Sequence, residues 1–362
     1  MARPPPGLRV PDEALSPQEL SWMQKVFETD LVDELDELAI EELGLELEDT
    51  LADESPPGHR CGYVAIIGRP NAGKSTLLNR IVGQRISIVT RKAQTTRNRV
   101  LGISSTDAAQ MILLDTPGVI QEHHTQMELA MMGNVKRAMA DADVVLMIVD
   151  ISKRPDEDVQ MLLPPADYAR PPLCLVLNKV DLVSEEQARR VVAWAEANEV
   201  ADELVLVSAK DGENVERVVR WAEGRLPEGP RLYPKEMVSE HPEKFFVAEI
   251  IREKIMLQYE QEVPYATTVH VPVFKERKAG GGKPVKDFVG VDIVVERDSQ
   301  KAILIGAKGS ALKRLATAAR LDIEAFLGRG CYLDIKVKTK ENWRDSEALL
   351  KDYGIMDEAP MT

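Results

Sequence analysis

"VAIIGRPNAGKSTLLN", residues 64–79, decides the fold. The apolar "VAIIG" has the length and β-branched content of a buried strand. It breaks into the loop "GRPNAGKS", Gly68 to Ser75, and reopens as the helix-forming "STLLNRIVG". Strand, glycine-bounded loop and helix, closing on Gly-Lys-Ser, are the context a phosphate loop demands. Main-chain N–H groups of such a turn, with the positive end of the helix behind it, cradle phosphate oxygens. The expected phosphate-facing set is Gly68, Arg69, Pro70, Asn71, Ala72, Gly73, Lys74, Ser75 and Thr76. In it Lys74 neutralises the β and γ charges and Ser75 Oγ ligates Mg2+.

Working outward from that loop, "AQMILLDTPG", "DVVLMIVD", "LCLVLNKVD" and "ELVLVSAK" alternate with helical patterns as far as about Leu226. That rhythm predicts an α/β fold with a doubly wound, mostly parallel sheet. "NKVD", Asn178 to Asp181, stands at a strand end and supplies the acid that selects the base. The Asp181 carboxylate can accept both N1–H and the exocyclic amine of guanine, whereas adenine offers no such donor pair and would leave the acid unpaired. "SAK", Ser208 to Lys210, again at a strand end, offers the Ala209 N–H to guanine O6, while Lys179 and Lys210 flank the base plane. "DTPG" places Asp115 near the metal through water and aims the Gly118 N–H at the γ-phosphate. "KAQTTR" holds Thr95 and Thr96, of which Thr96 is expected to complete the Mg2+ shell when the γ-phosphate is present.

The residue after "DTPG" is Val119, which cannot hydrogen-bond an attacking water. Hydrolysis must then be slow or lean on another group, a monovalent cation or a partner. The Asn71 side-chain oxygen is a candidate ligand for K+ beside the phosphates; the alternative is an asparagine that only stabilises the turn. Lys74, Thr96 and Asn71 are the expected catalytic set, and Ser75, Thr96 and Asp115 the metal set.

Composition limits the partners. Residues 1–60 hold 4 basic and 16 acidic side chains, 61–230 hold 20 and 23, and 231–362 hold 22 and 21. The net −14 is therefore concentrated in the first segment, and within 301–340 nine basic residues face three acidic ones. Such a window on an acidic protein is a candidate phosphate-facing surface, or merely a solvated basic face. No apolar run approaches the roughly 18 residues of a spanning helix, so a soluble protein is expected. Cys61, Cys174 and Cys331 lack the paired spacing of zinc or redox motifs and read as reduced core residues.

Beyond the proline-rich "LPEGPRLYPKEMVSEHP" the pattern changes to a smaller α+β unit. A helix near 243–260 precedes strands near 266–275 and 287–297, a helix from about Ser310 and a last strand "CYLDIKVKTK". Inside it, "ILIGAKGSALKRL" sets Gly306 and Gly309 three apart. The spacing fits neither a dinucleotide loop nor a P-loop, and by itself is a turn. Period alone makes residues 302–305 a strand.

Taken together, "GRPNAGKSTLLN", "ISIVTRKAQTTR", "DTPG", "NKVD", "VSAK", "FFVAEIIREKI", "EVPYATTVHV", "ILIGAKGSALKRLA" and "ENWR" closely resemble the Era family of GTPases over about residues 61–354. "SEHPEKFFVAEI" and "LATAARLDIEAFL" look most like its chloroplast branch. The resemblance implies a Ras-like GTPase domain at 59–228, a linker at 229–243, a type II KH domain at 244–345 and a tail at 346–362. It also implies a helical turn, not a strand, at 302–305. Gly306, Ala307, Lys308, Gly309 and Lys313 are then the RNA-binding set, with the glycines letting a single-stranded RNA backbone approach closely. Ile303 and Ile305 either line the base groove or pack in the core.

By the same resemblance the partners are GTP or GDP and small-subunit ribosomal RNA, and the role is small-subunit assembly. Mg2+ and K+ are the implied ions. The expected state is a monomer in the chloroplast stroma, with a mitochondrion or a bacterial cytoplasm as alternatives and membrane contact only peripheral. An RNA-binding scaffold with a silent nucleotide site, and a GTPase of tRNA modification, are the alternative readings. The acidic arm 1–58, with a helix start at Ser16, Pro17 and Glu19, lies outside the resemblance and is expected to be partly helical or disordered. Its acidity is the opposite of a transit peptide.

Overall fold

Six strands carry the first unit: β1 (Arg60–Ile67), β2 (Val100–Ser105), β3 (Ala109–Asp115), β4 (Val144–Asp150), β5 (Leu173–Asn178) and β6 (Glu203–Val207). The computed structural model describes residues 55–90, 92, 96–97, 99–120, 125–163, 170–276 and 286–356, so the expectations for the acidic arm fall almost wholly outside the described residues. Sheet order is β2-β3-β1-β4-β5-β6, parallel throughout except for β2, which runs antiparallel to β3. Every residue of β3, β4 and β5 is buried, which is why these strands read as unbroken apolar runs.

Both faces are covered because alternate residues of β1 feed two cores. Ala65 and Ile67 join the cluster that packs α2 (Gln126–Ala140), α3 (Pro155–Leu162) and α4 (Glu185–Ala197). Val64 and Ile66 face α1 (Lys74–Val82) and α5 (Val215–Glu223). Each fully buried aliphatic side chain contributes about 1.5–3 kcal/mol, so this layering dominates the unit's stability. Strand order reverses at β1, between β3 and β4, and ligands of doubly wound sheets bind outside the carboxyl ends of the strands at such a point. The P-loop, "DTPG", "NKVD" and "SAK" all leave from that edge.

Sequence reading did not foresee β2. "VLGISS" is short and carries a glycine and two serines, and pairing with β3 from Val100↔Asp115 to Ser105↔Gln110 supplies what its propensity lacks. The expected linker is also pinned rather than loose. Along the sheet edge Ile103 N–H donates to Val238 O (2.9 Å), while buried Gln110 Oε1 accepts from the N–H groups of Leu232 (2.8 Å) and Tyr233 (3.0 Å).

The second unit runs α6 (Glu243–Gln258), β7 (Thr268–Lys275), β8 (Asp287–Val295), α7 (Asp298–Ile305), α8 (Ser310–Leu327) and β9 (Cys331–Thr339). β8 is the central strand, antiparallel to β7 and parallel to β9. Val289, Val291, Ile293 and Val295 of β8 point inward at period two, against Val247, Ile251 and Ile255 of α6 and Leu315, Ala319 and Ile323 of α8. Residues 302–305 are the last turns of a helix, and the strand suggested by period alone is wrong. Gln300 Oε1 accepts from the N–H groups of Glu296 and Arg297, both at 3.1 Å, and so closes the helix start that the apolar "ILI" hid. A short helix, α9 (Glu347–Asp352), follows in the expected tail and was not foreseen.

Candidate functional site

The phosphate loop is built around a buried lysine. Lys74 Nζ donates to the carbonyls of Gly68 (3.0 Å) and Arg69 (3.1 Å). Burial pulls its pKa down to about 8, against the opposing pull of Asp115. Burial likewise pushes the Asp115 carboxyl above the usual range, opposed by Lys74 and by the hydroxyls of Ser75 and Ser87. Those hydroxyls lie 2.6 Å and 2.8 Å from Asp115 Oδ2, and Ser75 Oγ is 3.1 Å from Thr96 Oγ1. Asp115 Oδ1 is buried with no hydrogen-bond partner. The Ser75 and Thr96 hydroxyls with the Asp115 carboxylate, one of whose oxygens is orphaned, are the donor set of a hard oxygen-seeking cation, and they fit Mg2+. Thr95, expected beside them, lies outside the described residues.

Other loop residues serve different ends. Arg69 turns its guanidinium to Asp158 (2.7 Å), leaving only its main chain toward a phosphate. Asn71 sits at φ 64, a left-handed conformation that asparagine tolerates, and its carbonyl accepts from Lys179 Nζ at 2.7 Å. Pro70, Gly73 and Thr76 are half-buried, while Ala72 and Gly118 are buried. Val119 is 1% exposed within the core, with its N–H donating to Gly68 O at 3.1 Å. Its side chain cannot reach a nucleophilic water.

The base side is braced by Asn178. Its Nδ2 donates to Ala72 O (2.8 Å) and its Oδ1 accepts the Ala209 N–H (3.0 Å), so it ties the P-loop to the "SAK" turn. The Ala209 N–H, expected on guanine O6, donates to Asn178 Oδ1 here, two residues beyond the Asn178↔Val207 pair that ends the β5–β6 register. Lys179 anchors its ammonium on Asp150 Oδ2 (2.6 Å) and Asn71 O (2.7 Å), fixing the stem that is to lie along the base. Burial works against it, yet the Lys179 ammonium and the Ser152 hydroxyl hold Asp150 below the usual carboxylate range. Asp181 is exposed on a turn at Val180–Leu182, and its Oδ1 accepts from the Ser208 hydroxyl at 2.9 Å. Lys210 is exposed, and its carbonyl accepts from Arg80.

Sequence reading missed Asp150, Ser87 and Asn178's bracing. Asp150 carried a signal, since it ends an apolar strand as Asp115 and Asn178 do. Ser87 carried none: Asn79 Oδ1 holds the Ile86 and Ser87 N–H groups at 2.9 Å, a contact no motif encodes. Replacing Asn178 by Ala leaves Ala72 O and Ala209 N–H buried and unpaired, so the chain should lose about 2–3 kcal/mol of stability in urea unfolding. A loss under about 0.5 kcal/mol would contradict the brace.

In the second unit α7 and α8 meet at the glycine loop. Gly306 (φ 70) and Gly309 (φ 75) are both left-handed, and a Cβ at Gly306 would stand 2.6 Å from that of Ala311. Ala307, Lys308 and Lys313 are exposed. Ile303 is 51% exposed and Ile305 half-buried, whereas Leu304 between them enters the core, so core packing does not account for Ile303.

Comparison with known proteins follows the two units. Residues 63–179 match a family model described as 50S ribosome-binding GTPase, and 262–344 match a KH domain model. Over 298 residues the chain is 51% identical to a chloroplastic GTPase ERA-like protein of Arabidopsis thaliana, covering 82% of this chain and 69% of the relative. The chain belongs to the Era family of GTPases. GTPase Era of Geobacter metallireducens is 41% identical over 82% of this chain and 97% of its own. A crystal structure of Era in complex with MgGDPNP and nucleotides 1506–1542 of 16S ribosomal RNA aligns with TM-score 0.76 at 33% identity, covering 82% of this chain and 99% of Era. Aquifex aeolicus Era Y63A bound to GDP.AlF4- aligns with TM-score 0.75 at 34% identity, with the same coverage. The chain is thus a GTP-hydrolysing enzyme whose second unit is a KH domain.

Proposed function

We propose that this Era-family GTPase binds Mg2+ and GTP in the first unit, holds single-stranded small-subunit ribosomal RNA near its 3′ end on the KH domain, and acts in assembly of the small ribosomal subunit. The observation that carries the reading is the match over 82% of the chain to Era bound to a 16S ribosomal RNA fragment, with Ala307 and Lys308 of the glycine loop exposed. A 50S description attaches to the first unit's family model, but that unit lacks the KH domain through which RNA is read. Chloroplast-named relatives at 47–51% identity support a plastid location, and we place the protein in the stroma as a monomer.

When bound, Mg2+ spreads the negative charge on the β and γ phosphates. Ser75 and Thr96 are proposed to hold it directly and Asp115 through water. Lys74 offsets phosphate charge in the low dielectric of its burial, and P-loop and Gly118 N–H groups stabilise charge developing on the transferred group. γ-Phosphate contacts order the chain around Thr96 and shift the KH domain between states of different RNA affinity.

Buried Val119 leaves water orientation to another group, and the Asn71 side chain is proposed to hold K+ beside the phosphates. Single-turnover hydrolysis should rise at least about tenfold, or 1.4 kcal/mol of barrier, when K+ replaces Na+, and the rise should vanish in Asn71→Ala. No stimulation by K+ would refute the cation role of Asn71 and leave water orientation to another group. Crosslinks enriched on RNA other than small-subunit ribosomal RNA would refute the assembly role.

A further inference from the structure

Three cationic side chains from residues 85–97, between α1 and β2, cross to the KH domain. Arg85 pairs with Glu253 of α6, a carboxylate 2% exposed. Lys92 Nζ donates to the carbonyl of Tyr259, the residue after α6. Arg97, itself 2% exposed, donates from Nη1 to Thr267 O (2.7 Å) and from Nη2 to Tyr265 O (2.9 Å) and Pro264 O (3.2 Å). Its guanidinium carbon lies 5.7 Å from the ring centroid of Trp343, whose Nε1 donates to Ala266 O at 2.9 Å. The connection from α6 to β7 is therefore gripped along its length by the stretch that carries Thr96.

A second set of bonds runs from that connection to the glycine loop. The Tyr259 hydroxyl donates to Leu304 O (2.8 Å) in the last turn of α7. Gln258 Nε2 donates to the Tyr259 hydroxyl and to Ala311 O, both at 2.9 Å, in the first turn of α8. Leu304 and Ala311 flank Gly306–Gly309, so two adjacent residues at the end of α6 hold both stems of the loop. Tyr259 is 7% exposed, and hydrogen bonds shielded from water this way are not replaced when broken.

We infer that Gln258 and Tyr259 are positioning residues that transmit the arrangement of Arg85, Lys92 and Arg97 to the RNA-facing glycine loop. One peptide bond joins Thr96 to Arg97. Arg97 cannot leave its three carbonyls without stranding a buried charge, so a shift of Thr96 carries the 264–267 segment with it. Lys92 pulls the same connection at Tyr259, and the Tyr259 hydroxyl and Gln258 amide pass the shift to Leu304 and Ala311. The inference rests on the proposed dependence of RNA affinity on the γ-phosphate, and supplies its route.

The test uses the full chain and a fluorescein-labelled single-stranded RNA with the 3′-terminal sequence of small-subunit ribosomal RNA, titrated with GDP or a non-hydrolysable GTP analogue present. Wild type should show a ratio of RNA Kd values between the nucleotides of about 5- to 150-fold, the usual range of coupling between sites. Tyr259→Phe, which removes only the hydroxyl, should bring the ratio to about one while GDP binding stays that of wild type. A purely structural role would weaken RNA equally with both nucleotides and preserve the ratio, and that result overturns the inference. A wild-type ratio of one overturns the coupled reading beneath it instead. Hydrogen exchange of residues 304–311 without RNA gives an independent readout: a nucleotide-dependent change should be present in wild type and absent in Tyr259→Phe, and its persistence there refutes the strut. Should Tyr259→Phe fold poorly, Gln258→Ala removes the bonds to Ala311 O and to the Tyr259 hydroxyl while leaving the Tyr259 hydroxyl on Leu304 O, and is held to the same outcomes.

Discussion

Asp181→Asn should weaken GTP and GDP by at least about 100-fold in a nucleotide-exchange assay and improve the binding of xanthine nucleotides. A carboxylate accepting two guanine donors makes two charge-assisted bonds, each contributing about 1.5–3 kcal/mol. Asparagine keeps one acceptor and sets an NH2 against a guanine donor, so one bond is lost and a repulsion added. At 1.4 kcal/mol per factor of ten, a loss of about 3 kcal/mol already exceeds 100-fold. Xanthine carries a carbonyl where guanine carries its amine, and the new NH2 can donate to it. The change is local. Asp181 is exposed, and its turn is closed by main-chain bonds such as Leu182 N–H to Lys179 O at 3.0 Å, which the substitution leaves intact. The Ser208 hydroxyl, 2.9 Å from Asp181 Oδ1, can bond the Asn carbonyl equally well. Unchanged GTP affinity would refute the base assignment.

What the chain discloses before folding depends on how local the cause is. The P-loop, "NKVD" and "SAK" were readable because each is a short string whose chemistry sits on consecutive residues at a strand end. The buried strands were readable because burial on both faces leaves only apolar letters. β2 was not, since its strand character comes from pairing with β3 across the hairpin rather than from "VLGISS" itself. The helical end at "ILI" was hidden because three apolar residues fit either period, and the deciding cap, Gln300, is a polar residue upstream. Ser87 and Arg97 act on atoms far away in sequence: Ser87 reaches a carboxylate 28 residues on, and Arg97 reaches carbonyls 167–170 residues on. A single sequence carries no trace of such pairings.

Gly309→Asp should abolish measurable RNA association, with Kd rising about 100-fold or more, while GTP binding stays at the wild-type level. Geometry makes this a clean experiment. An added Cβ at Gly309 meets nothing within 4 Å, unlike one at Gly306, so the side chain has room. The backbone there is left-handed at φ 75, which aspartate adopts at a cost of about 1 kcal/mol, too little to unfold α8 and its buried row Ala311, Leu315, Ala319, Ile323 and Leu327. The new carboxylate then stands where an RNA phosphate must approach the main chain. Two like charges about 4 Å apart repel by about 1 kcal/mol in bulk water and about 4 kcal/mol at the effective dielectric near a protein surface. Loss of the close main-chain contact adds to that repulsion. Gly309→Ala separates the two causes, since it blocks the approach without charge and should weaken RNA less than aspartate does. Added salt should recover part of the aspartate defect and none of the alanine defect, because screening acts on the charge alone. If Gly309→Asp binds RNA as wild type does, the nucleic acid does not lie over Gly306–Gly309, and the KH domain of this chain must use another face.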